Sequence, residues 1–270
     1  MSLEHHRHKK QFGQHFLRDR SVVERIVLAV APEPGNHVVE IGPGAGALTF
    51  PMLARHGALT AIEFDRDLVE PLAAAARSHG QLEIIRADVL TVDLTELAGG
   101  GQLRMIGNLP YNISSPILFH CLAHAACIRD MHFMLQKEVV DRMAAGPGSK
   151  VYGRLSVMLQ AFARVTPLFE VPPDAFDPPP KVDSAVVRLV PLPEESIDIA
   201  DRRLFARVVQ DAFGQRRKTL RNALGRLCDA TAIEAAGLVP GARAEQVAVE
   251  DFIALANHLA NSGAVLAPSP

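Results

Sequence analysis

Glu40-Ile-Gly-Pro-Gly-Ala-Gly46 places three glycines within five residues, directly after a short apolar run. Glycine at that density lets the backbone turn tightly and lets a ligand approach the main chain. Glu63 closes the next apolar run, 21 residues after Gly42. A carboxylate at that place can accept both hydroxyl protons of a ribose. Asp88 follows the third run, in Arg86-Ala-Asp88, and can accept from an adenine amino group. Three readings compete: a tight turn among solvated acids, a dinucleotide site, or a site for S-adenosylmethionine. Gly42-x-Gly44-x-x-Ala47 fits the relaxed dinucleotide fingerprint, but the third glycine stands at 46 and the Asp88 acid is no part of that motif. Adenosine contacts without a pyrophosphate favour S-adenosylmethionine.

The fourth run ends in Gly107-Asn-Leu-Pro-Tyr-Asn-Ile-Ser114. The adenine amino nitrogen is a poor nucleophile because its lone pair is delocalised into the ring. Two acceptors, the Asn108 side-chain oxygen and the Leu109 carbonyl, can bind its two protons. That favours a pyramidal nitrogen whose lone pair points at a methyl donor. Pro110 stiffens the turn, and Tyr111 offers a ring for the base, a stack worth roughly 1–3 kcal/mol. Asn is no base at neutral pH, so the chemistry expected is alignment and electrostatics.

Such residues need a scaffold that brings the ends of several strands together. Apolar runs at 37–41, 59–62, 82–85, 103–106, 131–135, 165–170 and 184–190 predict seven strands. Helices are expected over 46–55, 66–78, 116–126, 137–145 and 154–163, with a first helix to about Val30 opened by the capping box Ser21-Val-Val-Glu24. The last two strands have no long helix between them and read as a hairpin-like pair. The alternation implies βαβ units and a mostly parallel sheet, with ligands at the carboxyl ends of the strands. Pro191-Leu-Pro-Glu-Glu-Ser196 reads as a linker. Beyond it, helices are expected over 202–213, 218–227, 231–236 and 244–260. The domains are thus 1–193 and 194–270, with 262–270 frayed.

The chain of 270 residues is 48% hydrophobic and 21% charged, which excludes disorder over most of its length. No apolar run suffices for a membrane helix. Met1–Lys10 is polar and basic, so no secretory signal is expected. Three cysteines cannot form a disulfide framework and point to a reducing compartment. Cys121, His124 and Cys127 resemble metal ligands in type, but on a helix Cys121 and Cys127 diverge by about 120°, and no metal is expected. A net charge of −2 argues against nucleic acid until its distribution is seen. Residues 201–226 hold eight Lys/Arg and two Asp, a local +6. Arg216, Arg217, Lys218, Arg221 and Arg226 form a cluster suited to phosphates.

Taken in order, Phe12-Gly-Gln-His-Phe-Leu17, Glu40 to Thr49, Asn108 to Ser114, Gln136-Lys-Glu-Val139, Phe176-Asp-Pro-Pro-Pro-Lys-Val-Asp-Ser184 and Phe213 to Leu220 resemble the KsgA-type ribosomal RNA adenine dimethyltransferases. Those enzymes are related to the erythromycin-resistance methylases. The resemblance implies an α/β class I S-adenosylmethionine-dependent methyltransferase with a Rossmann-like, mostly parallel seven-stranded sheet and a small all-helical C-terminal domain. It implies cofactor contacts at His15, Leu17, Gly42, Glu63, Asp88 and Asn108; many relatives carry Asn where this chain has His15. It implies that Phe176, ahead of Pro178-Pro-Pro180, faces Tyr111 across the target base. It implies N6,N6-dimethylation of two adjacent adenosines near the 3′ end of small-subunit rRNA, within an immature 30S subunit. A cytoplasmic monomer is expected, without membrane or metal. The alternatives are the same chemistry on large-subunit RNA, and an assembly factor in which binding dominates.

Overall fold

The computed structural model describes residues 15–215 and 217–262. Residues 12–14 of the first motif, Arg216 of the basic cluster and most of the expected frayed end lie outside the described residues. The chain forms two compact units, one from 1–140 and 166–191, the other from 141–165 and 192–270. The division at 191/192 falls in the Pro-rich linker. The segment 141–165 joins the helical unit, whereas the sequence reading placed all of 1–193 together.

The first unit is built on seven strands. They are β2 (His37–Ile41), β3 (Ala58–Glu63), β4 (Gln81–Arg86), β5 (Leu103–Asn108), β6 (Ile128–Gln136), β7 (Ala163–Val171) and β9 (Ser184–Pro191), in the order β4-β3-β2-β5-β6-β9-β7. Strands β4 to β6 run parallel, and β9 runs antiparallel to β6. The late strands β7 and β9 are neighbours, as the hairpin-like reading expects. The helices α1 (Arg20–Val30), α2 (Thr49–His56), α3 (Arg66–Ala76), α4 (Leu94–Ala98), α5 (Ser114–Ala123) and α6 (Lys137–Ala144) connect them. Val22, Ile26 and Val30 of α1 and Met52 and Leu53 of α2 join Val38, Ile106, Met134 and Val186 of the sheet in one apolar cluster. Buried strands of this kind read as near-continuous apolar runs, which is why they were visible in the sequence.

Three local expectations fail for identifiable reasons. The cap of α1 is Asp19, not Ser21: Asp19 Oδ1 accepts from the N–H of Ser21 and Val22 and from Ser21 Oγ. Helix α2 begins at Thr49 rather than 46, because Gly46 has φ +87° and its N–H closes a turn on Pro43. Cys127 lies in a 3₁₀ turn beyond α5, so the helical angle argument does not apply to it. A pair of strands absent from the sequence reading, β1 (Phe16–Leu17) and β8 (Phe176–Asp177), forms a separate antiparallel ribbon.

The second unit holds α7 (Arg154–Gln160), α8 (Arg202–Phe213), α9 (Leu220–Ala223), α10 (Ala230–Ala235) and α11 (Val249–Asn261). Asp201 caps α8, accepting from the N–H groups of Arg203 and Leu204. Leu204, Phe205, Val208, Val209 and Ala212 then form its buried stripe. That stripe shares a core with Tyr152, Val157, Phe252 and Leu255. Two expected helices are shorter than their patterns. Of 218–227 only 220–223 is helical, and Leu220 and Arg221 donate instead to Ala242 and Pro240. The 244–260 pattern splits into a 3₁₀ turn and α11, because Val247 is extended at φ −92°, ψ 130°. No helix among the described residues is long and apolar enough to cross a membrane.

Candidate active site

In the sheet order the chain doubles back at β2, with β3 and β4 on one side and β5 and β6 on the other. Loops leaving β2 and β5 therefore diverge and open a crevice at the strands' carboxyl ends. A cavity of about 280 Å³ stands there, near the lower end of the range for small-molecule sites. It is lined by His15 and Leu17, by Gly42 and Gly44, by Glu63, Phe64 and Asp88, and by Asn108 to Tyr111. The expected cofactor residues are thus brought together around one space.

The glycine loop shows why its composition is needed. Gly42 has φ +67° and donates to Ile62 at 3.0 Å, while a Cβ built on it would meet nothing in the protein. Gly44, at φ +56°, donates to Glu63 Oε2 at 3.2 Å. Glu63 also accepts from Asp65 N–H at 2.7 Å, which fixes the carboxylate at the cavity wall. Burial pushes its carboxyl above the usual range, against the pull of those two hydrogen bonds. Glu40 is buried more deeply, accepts from Thr49 Oγ1 at 2.6 Å, and is pushed up to about 7 by burial. Its ionisation therefore destabilises the fold as pH rises past the ordinary carboxylate range. Asp88 Oδ1 accepts from Leu90 N–H at 3.0 Å.

Asn108 ends β5. Its Nδ2 donates to the His15 carbonyl at 3.0 Å, which commits the donor end and leaves Oδ1 as the acceptor. Leu109 is buried, and its N–H is spent on Met134 at 3.1 Å. Pro110 accepts from Ile113 N–H in the turn that leads to α5. Tyr111 is half-buried, with its hydroxyl 2.6 Å from Ser184 Oγ. Burial raises the phenol's pKa, so it stays protonated.

Phe176, expected across the target base from Tyr111, lies in the short strand β8. It is 3% exposed, lies opposite Leu17 in the β1–β8 ribbon, and packs in the apolar cluster of α1 and α2. It is not among the residues lining the cavity. The ring that stacks on Tyr111 is His15, at a centroid distance of 5.8 Å and 25° between planes. His15 Nδ1 lies 2.7 Å from the Pro178 carbonyl; since a carbonyl has no proton, Nδ1 is the donor. His15 and Phe16 thus touch two site loops at once, the one after β5 and the glycine loop, because the Phe16 ring also lies 3.0 Å from where a Cβ on Gly44 would sit.

Phe64, 62% exposed at the cavity wall, was missed by the sequence reading. The rule that placed Glu63 at the end of a strand also applies to the residue after it. Cys121 is fully buried, its thiol pushed up to about 12 by burial. Cys127 donates to the carbonyls of Leu94 and His124. Among the described residues no group of three or more His, Cys, Asp or Glu is arranged to hold a metal ion. In the second unit, Arg217, Lys218, Arg221 and Arg226 are exposed, and no carboxylate among the described residues pairs with them.

A parallel sheet reversing at β2, a glycine loop open to a cavity and acids at the next two strand ends suit S-adenosylmethionine. They offer acceptors for a ribose and an amino group, apolar walls at Ile41, Ile62 and Val89, and an open approach at Gly42. Fold and site together define a class I methyltransferase. The chain matches the family described as ribosomal RNA adenine dimethylase over residues 5–261 and belongs to it. As a member it is an S-adenosylmethionine-dependent methyltransferase. It is 68% identical over 249 residues to the ribosomal RNA small subunit methyltransferase A of Xanthomonas campestris pv. campestris strain B100, covering 92% of this chain and 95% of that protein. The structure of a dimethyladenosine transferase from Plasmodium falciparum superposes with a TM-score of 0.78 at 25% identity, over 93% of this chain and 99% of that one. The 23S rRNA methyltransferase ErmE does so with a TM-score of 0.70 at 28% identity, over 91% and 99%.

Proposed function

We propose that this chain dimethylates N6 of two adjacent adenosines near the 3′ end of small-subunit rRNA, acting in the cytoplasm as a monomer on an immature 30S subunit, without a metal. The observation that carries this reading is Asn108-Leu-Pro-Tyr111 at the end of β5, facing the same cavity as the glycine loop. The close relative named for the small subunit supports the choice of RNA.

When bound, S-adenosylmethionine supplies an electrophilic methyl on a sulfonium. Gly42, Leu17 and the His15 backbone border its place, Glu63 takes the ribose hydroxyls, and Asp88 takes the amino group of its adenine. Asn108 Oδ1 and the Leu109 carbonyl accept the two N6 protons of the target base. This directs the nitrogen lone pair toward the methyl. Pro110 holds the turn, and Tyr111 carries the base on its ring. The proton leaves to water, since neither acceptor is basic. Arg216, Arg217, Lys218 and Arg221 contact RNA phosphates, so the region 194–270 grips RNA while 1–193 carries the chemistry.

The test is methylation of immature small subunits with labelled cofactor, followed by mapping of the modified bases. Label in two adjacent adenines of the small-subunit RNA is expected; no methylated adenine there refutes the reading. Tyr111→Ala is expected to lower turnover by about tenfold to a hundredfold, the size of one lost base stack, with cofactor affinity nearly unchanged. Normal turnover would remove Tyr111 from that role. Reversing charge at Arg217 and Lys218 should weaken subunit binding and reduce the slope of log K against log salt by about two. Cofactor affinity stays the same. Binding curves that match wild type at several salt concentrations would sink the phosphate contact.

A further inference from the structure

Tyr111 is held at both ends by one part of the sheet. On the backbone side, Leu109 N–H donates to Met134 of β6, and Ser114 Oγ donates to the Tyr111 carbonyl at 3.2 Å. At the far end the hydroxyl meets Ser184 Oγ at 2.6 Å. Ser184 is wholly buried and is the first residue of β9, opposite Gln136 in the ladder with β6. Met134 and Gln136 lie two positions apart along that strand, so β6 anchors the start of the Asn108–Tyr111 turn and the tip of its ring alike. Just past Gln136, Lys137 N–H donates to the Asp183 carbonyl at 2.9 Å, which fixes the backbone beside Ser184.

A tyrosine ring tied only through Cα turns about two side-chain torsions. Tied also through its hydroxyl, which lies on the ring's own long axis, it keeps one direction of that axis, and the His15 ring stacked on it at 25° between planes limits rotation about the axis. A stacked base inherits the tilt of the ring beneath it, and methyl transfer tolerates little error in the direction of the attacking lone pair. A half-buried phenol could satisfy its hydroxyl with water. Here it uses a fully buried serine 73 residues away in sequence. We propose that Ser184 is a positioning residue for methyl transfer, locking the Tyr111 ring in the orientation that aligns the target adenine. The proposal rests on the reading of Tyr111 as the base platform.

The experiment compares Ser184→Ala, Ser184→Thr, Tyr111→Phe, Tyr111→Ala and the Ser184→Ala/Tyr111→Phe double variant. For each, kcat and KM for immature subunits, cofactor Kd and thermal midpoint are measured. Ser184→Ala and Tyr111→Phe should each lower kcat by about five- to tenfold, the size of one hydrogen bond, with cofactor Kd unchanged. The double variant should be no slower than the slower single one, because both remove the same bond. Ser184→Thr keeps the hydroxyl and should restore most of kcat. Wild-type kcat in Ser184→Ala, or effects that multiply in the double variant, would overturn the proposal. If Ser184→Ala loses thermal stability, Tyr111→Phe reads the same bond without touching the buried serine; full activity there also overturns it. Full turnover in Tyr111→Ala would remove the platform and the proposal together. An impaired Tyr111→Ala beside a normal Ser184→Ala would overturn the role of Ser184 alone.

Discussion

Asn108→Ala is expected to lower the rate of methyl transfer by about two to three orders of magnitude, the usual effect of removing one oriented polar group from a reacting centre, while subunit binding holds. The geometry supplies the reason. Asn108 lines the cavity and its Nδ2 is committed to the His15 carbonyl, which leaves Oδ1 as its acceptor at the end of β5. An alanine leaves the Leu109 carbonyl as sole acceptor, and the nitrogen lone pair stays conjugated with the ring. The phosphate contacts proposed for the basic cluster lie in the other unit and are untouched. Single-turnover rates at saturating cofactor, with binding measured in parallel, check this. A rate within a fewfold of wild type would refute alignment by Asn108. Because the same side chain also holds the His15 carbonyl, cofactor affinity must be measured too. A loss recovered fully by more cofactor would assign Asn108 to holding the β1–β8 ribbon rather than to the reacting nitrogen.

Arg104→Met is expected to cost about 3–5 kcal/mol of stability at neutral pH, the penalty for stranding a buried charge. Asp130 is 1% exposed. Arg104 grips it with Nε at 2.9 Å and Nη2 at 2.8 Å, and its Nη1 reaches Ala31 and Asn36. Arg188 adds a contact at 3.2 Å. Burial pushes the Asp130 carboxyl up, but the Arg104 hydrogen bonds and neighbouring positive charge bring it below the usual range. A depressed carboxyl contributes stability above its unfolded pKa and loses it as pH falls through the folded value. The gap between variant and wild type should therefore be widest near neutral pH and narrow in acid. Urea unfolding at a series of pH values measures it. Asp130→Leu in the Arg104→Met background should return much of the loss, since a paired charge is then replaced by apolar packing. A gap that is small or independent of pH would show that the pair does not carry this part of the fold.

The parts of the fold legible in the sequence are those with a period or a run. Strands such as Val38–Ile41 and Leu103–Ile106 are buried on both faces and read as near-continuous apolar segments, each interrupted by one charged residue, Glu40 or Arg104. Site residues followed from them, because Glu63, Asp88 and Asn108 each stand at or just beyond the end of such a run. What could not be read has no local signal. The β1–β8 ribbon joins pairs of residues some 160 positions apart, and two-residue strands carry no alternation. Phe176 was placed at the base because its Pro-rich setting resembles the family motif. In the fold it pairs with Leu17 across the β1–β8 ribbon and is buried, a neighbour that no local signal announces. Ser184 was included in a matched segment without a role, since a serine's use depends on which hydroxyl stands opposite. In the second unit, Ala244–Ala260 kept an apolar pattern through Val247, although the backbone there is extended. Periodicity reports which side chains are buried and does not report where a helix starts.

The helical unit is assembled from two stretches of chain, 141–165 and 192–270, with strands of the other unit synthesised between them. Tyr152, Val157 and Ala161 therefore leave the translating ribosome well before Phe205 and Phe252, the side chains that will cover them. During that interval the nascent chain carries an oily face still waiting for α8 and α11. A fragment that stops at the Pro-rich linker would keep that face permanently bare, so the C-terminal region cannot be trimmed away as a detachable module.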